Sequence, residues 1–235
     1  MRSLDLRPRT AMAIYAHPDD ADVAAGGVMA LWAALGCAVH LVVICDGSKG
    51  AHGSQTGPES LRDVRRSESQ LAADMLGVSR VRSLEVPDGE VTNSDHLRST
   101  LVGLIRSVRP EVILGPDPTA TFFGGVYVNH RDHREAGWAL LDAAAPAAAM
   151  PLYYPDQGVA HQVSWLLLSG THEPDVAIDV TSTIDVKVKA VLAHHSQTGD
   201  DVGAVSDVVR GRASQAGRPL GIPFAEAFRS VELAE

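Results

Sequence analysis

Short apolar runs of strand length alternate along this chain with longer segments of helical spacing. The strand candidates span residues 11–16, 39–45, 81–86, 112–115, 164–169 and 176–180. Their apolar residues are continuous rather than alternating with polar ones, which is typical of strands buried on both faces of a parallel sheet. Helical patterns fill the gaps, over residues 23–35, 61–76, 94–108, 134–145 and 183–195. This order predicts an α/β fold: a Rossmann-like, mostly parallel sheet flanked by helices.

The bulk composition indicates one globular domain. The chain has 235 residues, of which 45% are hydrophobic and 21% charged, and its formal net charge is -9. A chain this acidic is a poor candidate for binding nucleic acid or an anionic membrane surface. We expect a single domain over residues 1–235, with a loop-rich C-terminal extension over 199–235 that begins with Gly, Ser and Asp.

The cysteine content and the apolar runs predict where the protein works. Cys37 and Cys45 lie in or beside apolar segments, which indicates small buried hydrophobes rather than a disulfide framework. The N-terminus shows no long apolar run typical of a signal peptide, and no apolar stretch is long enough to span a bilayer. We therefore expect a cytoplasmic protein with no membrane or nucleic-acid partner. A homo-oligomer stays open, because the sequence shows no interface signature.

Two clusters of histidine and aspartate carry the chemistry of this chain. The segment HPDD (17–20) directly follows the strand candidate at 11–16, and HRDH (130–133) lies more than a hundred residues further on. Ligands of open α/β sheets bind outside the carboxyl ends of the strands, so both clusters are expected in one crevice. Two histidines and one carboxylate leave a fourth position open on a metal, as catalytic zinc sites do.

Two connections are longer than a compact α/β domain requires. They span residues 46–58 and 116–129 and are rich in Gly and polar residues. Long loops of this kind are more often functional than not. We expect both to border the crevice.

Plainer interpretations of the clusters stay open at this point. An Asp pair at a helix N-terminus is commonly a cap with a favourable dipole contact, and HRDH could equally be a solvated helix start. In that case the chain could be a nucleotide-binding, non-enzymatic Rossmann-like module. Such modules carry a G-x-G-x-x-G turn, whereas the first βα turn here is AHPDDADVAAGG (16–27).

The clusters and the segments between them resemble the PIG-L/LmbE-like superfamily of zinc-dependent N-acetylglucosaminyl de-N-acetylases. The family signature AHPDDE corresponds to AHPDDA (16–21), and HxDH corresponds to HRDH (130–133). Further matches, in the same order, are CDGSKG (45–50), RRSESQLAADMLGV (65–78), VPDGEV (86–91), RPEVILGPDP (109–118) and DVT…KVKAVLAHHSQ (179–197). The resemblance covers residues 11–198.

The resemblance implies a catalytic site and a metal. The zinc ligands would be His17, Asp20 and His133, holding one Zn²⁺ per chain, with Fe²⁺ as the alternative metal. Asp19 would be the general base. His130 would stabilise the oxyanion or act as an acid, with Asp132 in support.

The resemblance also implies a substrate class. Arg65 and Asp88 match positions that contact the sugar in family members. The implied reaction removes an acetyl group from an amide nitrogen of a small molecule of the GlcNAc type, and an amidase of a thiol conjugate or natural-product intermediate is the alternative. The chain departs from the pattern at Ala21 and Ser48, where the family has Glu. Tyr127 could reach the oxyanion or could be a packing residue.

Overall fold

The computed structural model describes residues 1–50 and 57–233. An eight-stranded sheet in the order β1-β9-β10-β8-β5-β2-β3-β4 forms its centre. The strands of this sheet are β1 (Arg2–Ser3), β2 (Thr10–Tyr15), β3 (Ala38–Cys45), β4 (Arg80–Val86), β5 (Val112–Pro116), β8 (Trp165–Ser169), β9 (Val176–Asp179) and β10 (Ala225–Glu232). Two short strands, β6 (Phe122–Phe123) and β7 (Tyr127–Val128), form a separate antiparallel hairpin.

Helices cover both faces of the sheet. In the described residues they are α1 (Asp20–Ala34), α2 (Pro58–Leu76), α3 (Asp95–Val108), α4 (Arg131–Asp142), α5 (Ile184–Ala193), α6 (His195–Thr198) and α7 (Val202–Gly217). One core cluster packs α1 against β2 and β3, and a second packs α3 and α4 against the opposite face. No helix in this part of the chain has the length and apolarity needed to cross a membrane.

The predicted α/β class is confirmed. Strands β4, β3, β2, β5 and β8 run parallel, and each of the six predicted strands is present within two residues of its expected ends. Residues of β2, β3 and β5 are buried on both faces, which is the reason that their sequences are continuously apolar.

The prediction of a loop-rich segment over 199–235 is wrong. That segment forms helix α7 and strand β10, which inserts antiparallel between β8 and β9. The Gly, Ser and Asp residues at its start have low helix propensity, so the sequence did not predict helix α7. Within the described residues, strand β10 pairs with β8 and β9, which are distant in sequence, so no local pattern marks it.

The predicted functional loops have different outcomes. Loop 116–129 contains the β6–β7 hairpin, and it leads directly into α4. Of loop 46–58, residues 51–56 lie outside the described part. Helix α4 begins at Arg131 rather than at 134, with His130 as its N-cap residue, so the HRDH segment lies in the first helical turn.

Helix α1 is fixed against the C-terminal strands through Gly27. A Cβ at this position would lie 2.8 Å from Cβ of Val180, so only glycine permits the close approach. Glu226 on β10 accepts the N–H groups of Gly27 and Val28 at 2.9 and 2.8 Å. Its carboxylate also pairs with Lys187 in the buried interior. This contact sets the position of the helix whose first turn carries the HPDD residues.

Candidate metal centre and active site

Three predicted ligands converge at the carboxyl end of the sheet. His17 follows β2, Asp20 opens α1, and His133 lies in the first turn of α4. Nδ1 of His17 lies 3.0 Å from Nε2 of His133 and 3.3 Å from Oδ2 of Asp20. Nε2 of His133 lies 3.2 Å from Oδ1 of Asp20. Residues 116 positions apart in the chain therefore present their donor atoms to one point.

The tautomer of His133 is set by Asn129. Nδ1 of His133 lies 2.9 Å from Oδ1 of Asn129, whose amide nitrogen donates to the carbonyl of Ala120 at 2.8 Å. The amide oxygen therefore faces the ring and accepts the Nδ1 proton. In the neutral ring this leaves the lone pair of Nε2 directed at Asp20 and His17. Asn129 is a site residue to which the sequence assigned no role.

Two carboxylates set the tautomer of His17 through its Nε2 atom. Its Nε2 lies 3.3 Å from Oδ1 of Asp88 and 3.6 Å from Oδ2 of Asp132. Asp132 is fully buried and accepts the backbone N–H groups of Gly89 and Val91 at 2.7 and 3.2 Å. A proton on Nε2 leaves the lone pair of Nδ1 pointing at the shared centre.

This arrangement fits a metal ion. Two imidazole lone pairs that face each other at 3.0 Å repel unless a cation lies between them. Zinc with nitrogen and oxygen ligands at about 2.0–2.2 Å places tetrahedral donors about 3.3–3.6 Å apart, within a few tenths of an ångström of the separations here. Burial alone would raise the pKa of Asp20, but His133 and His17, where protonated, hold it well below its ordinary value.

Asp19 lies beside the centre and is held by Arg65. Its side chain makes no capping hydrogen bond to α1, although Asp19 is the N-cap residue. Instead Nη2 of Arg65 donates to Oδ1 of Asp19 at 2.8 Å, and Nη1 donates to the carbonyl of Gly47 at 3.0 Å. The capping interpretation of the HPDD segment does not hold for the Asp19 side chain. The side chain of Arg65 is only 4% exposed.

His130 combines a capping contact with an exposed edge. Its Nδ1 accepts the N–H of Asp132 at 3.2 Å, as the plainer interpretation of HRDH expected. Accepting at Nδ1 requires the proton of the neutral ring to be on Nε2. The side chain is 46% exposed, and the ring borders the pocket described next. Burial lowers the pKa of His130 below its ordinary value, with a further contribution from His17.

An open pocket of about 520 Å³ leads to the centre. We call it the polar pocket. Besides the metal-binding residues, its wall includes the charged and polar residues Asp19, Lys49, Arg65, Asp88, His130 and Gln197, together with Tyr127. The structure thus brings all eight predicted site residues together. Three of these residues make contacts other than the expected ones. Arg65 bonds to Asp19, Asp88 faces His17, and Asp132 lies nearer His17 than His130, from which it is 3.9 Å away.

The buried hydrogen-bonded pair of Asp22 and His194 was not predicted. Nε2 of His194 lies 2.6 Å from Oδ2 of Asp22, and both side chains are almost completely buried. His194 precedes α6, whose Ser196 bonds to Glu68 on the helix that carries Arg65. Asp22 stands one residue after Ala21, the position at which the chain departs from the family pattern. The pair therefore joins the first turn of α1 to α6.

Comparisons with known proteins agree with this geometry. Residues 12–144 match the family model PIG-L, described as GlcNAc-PI de-N-acetylase. Diacetylchitobiose deacetylase of Thermococcus kodakarensis is 29% identical over 225 residues, covering 94% of this chain and 82% of the relative. A 1D-myo-inositol 2-acetamido-2-deoxy-alpha-D-glucopyranoside deacetylase of Saccharopolyspora erythraea is 29% identical and covers 82% and 85%.

Solved structures show the same fold. N,N'-diacetylchitobiose deacetylase from Pyrococcus horikoshii has a TM-score of 0.88 at 27% identity, covering 96% of this chain and 84% of that one. GalB, the 4-carboxy-2-hydroxymuconate hydratase of Pseudomonas putida KT2440, has a TM-score of 0.78 at 25% identity, covering 97% and 98%. The fold is therefore shared by deacetylases and by a hydratase.

Proposed function

This chain belongs to the PIG-L family of GlcNAc-PI de-N-acetylases, and we propose that it is a metal-dependent hydrolase that removes an acetyl group from the amide nitrogen of a GlcNAc-type sugar or sugar conjugate. The observation that carries the proposal is the convergence of His17, Asp20 and His133 beside Asp19 in the polar pocket. A sugar presents hydroxyl groups that the charged and amide side chains of this pocket can bind.

His17, Asp20 and His133 would hold one zinc ion, with ferrous iron as the alternative. Bound there, the metal would supply a Lewis acid for the amide carbonyl and would acidify a water molecule. Asp88 and Asp132 keep the ring of His17 in its ligating tautomer, and Asn129 does the same for His133. These three residues position ligands and need not touch the substrate.

Asp19 is the general base of the proposed reaction. Arg65 fixes Oδ1 of Asp19, which leaves Oδ2 to take the proton from the attacking water and to return it to the leaving amine. Arg65 is in this view a positioning residue.

His130 stabilises the oxyanion of the proposed reaction. Because Nδ1 accepts from the backbone of α4, Nε2–H is the group that His130 offers to the polar pocket. A neutral N–H donor at this edge can bind the developing negative charge on the carbonyl oxygen. This tautomer makes His130 an oxyanion donor rather than the base.

The remaining parts of the proposal concern the surroundings of the enzyme. We place the protein in the cytoplasm and assign it small-molecule substrates, with no nucleic-acid partner. The support is its two buried free cysteines and its net charge of -9. Both features fit a reducing compartment and disfavour polyanionic partners.

The test combines metal content with amine release. We expect about one zinc or iron per chain by elemental mass spectrometry, and release of a primary amine from N-acetylglucosamine or its conjugates that a chelator abolishes. Absence of metal after reconstitution would overturn the metal site. Full metal content without amine release, but with hydration of an unsaturated carboxylic acid, would instead indicate the chemistry of the hydratase relative.

A further inference from the structure

A second pocket lies on the other side of the metal-binding residues. It has a volume of about 380 Å³ and follows the carboxyl ends of β2, β5 and β8 at Tyr15, Pro116 and Ser169. We call it the β5–β8 pocket. Four residues line both this pocket and the polar pocket: Asp19, Asp20, Tyr127 and His133. An amide at the centre therefore has one pocket on each side.

Apolar side chains form one part of the wall of the β5–β8 pocket, beside Asp19, Asp20 and His133 of the metal centre and the polar side chains described next. Val23 and Ala24 of α1, Pro116 of β5, and the rings of Phe123 and Tyr127 from the hairpin contribute to its surface. The hairpin rings lie 5.8 Å apart and form one side. These side chains offer a ligand packing contacts and few hydrogen bonds.

The polar side chains at the inner end of this pocket are already bonded to the protein. The hydroxyl of Tyr15 bonds to that of Ser169 at 3.0 Å, and Ser169 also donates to the carbonyl of Gly115. Both groups of the Asn129 amide are used by His133 and Ala120.

Besides Asp19 and Asp20, two further charged residues line this pocket, Asp117 and Arg212. Asp117 is 1% exposed and accepts the amide and hydroxyl of Thr119 through Oδ1, while its buried Oδ2 has no hydrogen-bond partner among the described residues. Arg212 of α7 is exposed. Its long aliphatic stem can cover an apolar group while the guanidinium stays in water.

Because the two pockets have different linings, we assign the amine side of the amide to the polar pocket and the acyl side to the β5–β8 pocket. The polar pocket offers Lys49, His130 and Gln197, which suit the hydroxyl groups of a sugar amine. The β5–β8 pocket suits a hydrocarbon chain. An acetyl group has a single methyl carbon beyond the carbonyl and would occupy only a small part of about 380 Å³.

We propose that the β5–β8 pocket is the acyl subsite of this enzyme and that it takes straight aliphatic acyl groups longer than acetyl. The inference rests on the proposed function and extends its substrates from N-acetyl to longer N-acyl amino sugars. The step is amide hydrolysis: water oxygen bonds to the acyl carbon, the C–N bond breaks, and a carboxylate and a protonated amine leave. Longer acyl chains should bind more tightly, because more of their apolar surface is removed from water on binding.

The test compares N-acetyl-, N-butanoyl- and N-hexanoylglucosamine with the metal-loaded enzyme. Burying a methylene is worth roughly fourfold in an equilibrium constant, so we expect kcat/KM to rise about tenfold from acetyl to butanoyl. A fall in kcat/KM with chain length, alongside measurable acetyl release, would overturn the acyl subsite and leave the proposed function standing. Absence of amine release from all three would overturn both.

A pair of variants on one helix locates the subsite. Ala24→Phe places a ring in the β5–β8 pocket, whereas Ala34→Phe adds the same ring at the exposed end of α1, outside both pockets. We expect the butanoyl-to-acetyl ratio of kcat/KM to fall at least tenfold in Ala24→Phe and to stay unchanged in Ala34→Phe. Val23→Phe serves as the second filling variant if Ala24→Phe does not fold. An unchanged ratio in a folded filling variant would contradict the assignment.

Discussion

Arg65 donates from Nη2 to Oδ1 of Asp19 at 2.8 Å, although 46 residues separate them in the chain. The Arg65 side chain is 4% exposed, while the side chain of Asp19 is 25% exposed and lines the polar pocket. The same guanidinium holds the carbonyl of Gly47. This geometry makes Arg65 a support for the proposed base, where a contact with the sugar had been expected.

Substitution of Arg65 tests this support. Arg65→Lys keeps the charge but cannot bond to Asp19 and Gly47 in the same planar geometry. We expect kcat to fall roughly tenfold to a hundredfold, with metal content unchanged, because base catalysis is worth about 10²–10⁴ and is only partly lost. Arg66→Lys is the matched control, since Arg66 lies next to it and pairs with Glu85 at the surface. A rise in KM at constant kcat would instead indicate a sugar contact.

Asp19 can be tested without disturbing the metal. Asp19→Asn keeps the shape of the side chain and an acceptor for Arg65 but removes the basic oxygen. We expect kcat to fall by about 10²–10⁴, while elemental analysis finds the same metal content as in the parent protein. Full turnover with metal bound would show that another group takes the proton.

Two histidines of the HRDH segment should separate metal binding from catalysis. His133→Ala removes a donor atom that lies 3.2 Å from Asp20, so the purified variant should contain little metal and should melt at the temperature of chelator-treated parent protein. His130→Ala should keep its metal and lose activity by about 10²–10³, the usual effect of removing one oxyanion donor. Equal metal loss in both variants would contradict the ligand assignment.

The buried Asp22–His194 pair should matter for stability. His194→Ala leaves the carboxylate of Asp22 buried beside an empty space, because the two side chains are 0% and 1% exposed. Leaving the buried carboxyl of Asp22 without its hydrogen-bond partner costs about 1–3 kcal/mol of unfolding free energy, measurable by urea denaturation. His195→Ala is the control one residue away, since that ring is 68% exposed, and it should change stability by less than about 0.5 kcal/mol.

Two helical glycines should respond to alanine with opposite signs. Gly27→Ala would bring a Cβ to 2.8 Å from Val180 and 3.0 Å from Glu226, whereas a Cβ at Gly211 meets nothing within 4 Å. We expect Gly27→Ala to lower the unfolding free energy by about 1–3 kcal/mol. Gly211→Ala should raise it by roughly 0.5–1 kcal/mol, since alanine favours a helix interior. Thermal melting of both variants measures the difference, and destabilisation by Gly211→Ala would contradict the open environment at that position.

Local sequence patterns determined the architecture of this protein. Continuous apolar runs separated by helical spacing predict a parallel sheet, because burial on both faces requires apolar side chains at successive positions. The same pattern placed the HPDD segment at the end of β2, and the parallel arrangement brought it to the crevice that also receives HRDH. Where pairing partners are distant and no periodicity marks them, as for β10, the sequence predicted loop instead.

The sequence by itself determined the α/β fold, because strands and helices follow from local residue patterns. Its resemblance to the PIG-L/LmbE-like superfamily proposed His17, Asp20 and His133 as the ligands. Only the tertiary structure decided which partner each remaining polar side chain takes: Arg65 holds Asp19, and Asp132 faces His17. It also decided which imidazole nitrogen faces the centre. These choices depend on hydrogen bonds between segments far apart in the chain, whose distances and angles exist only once the strands and helices have packed.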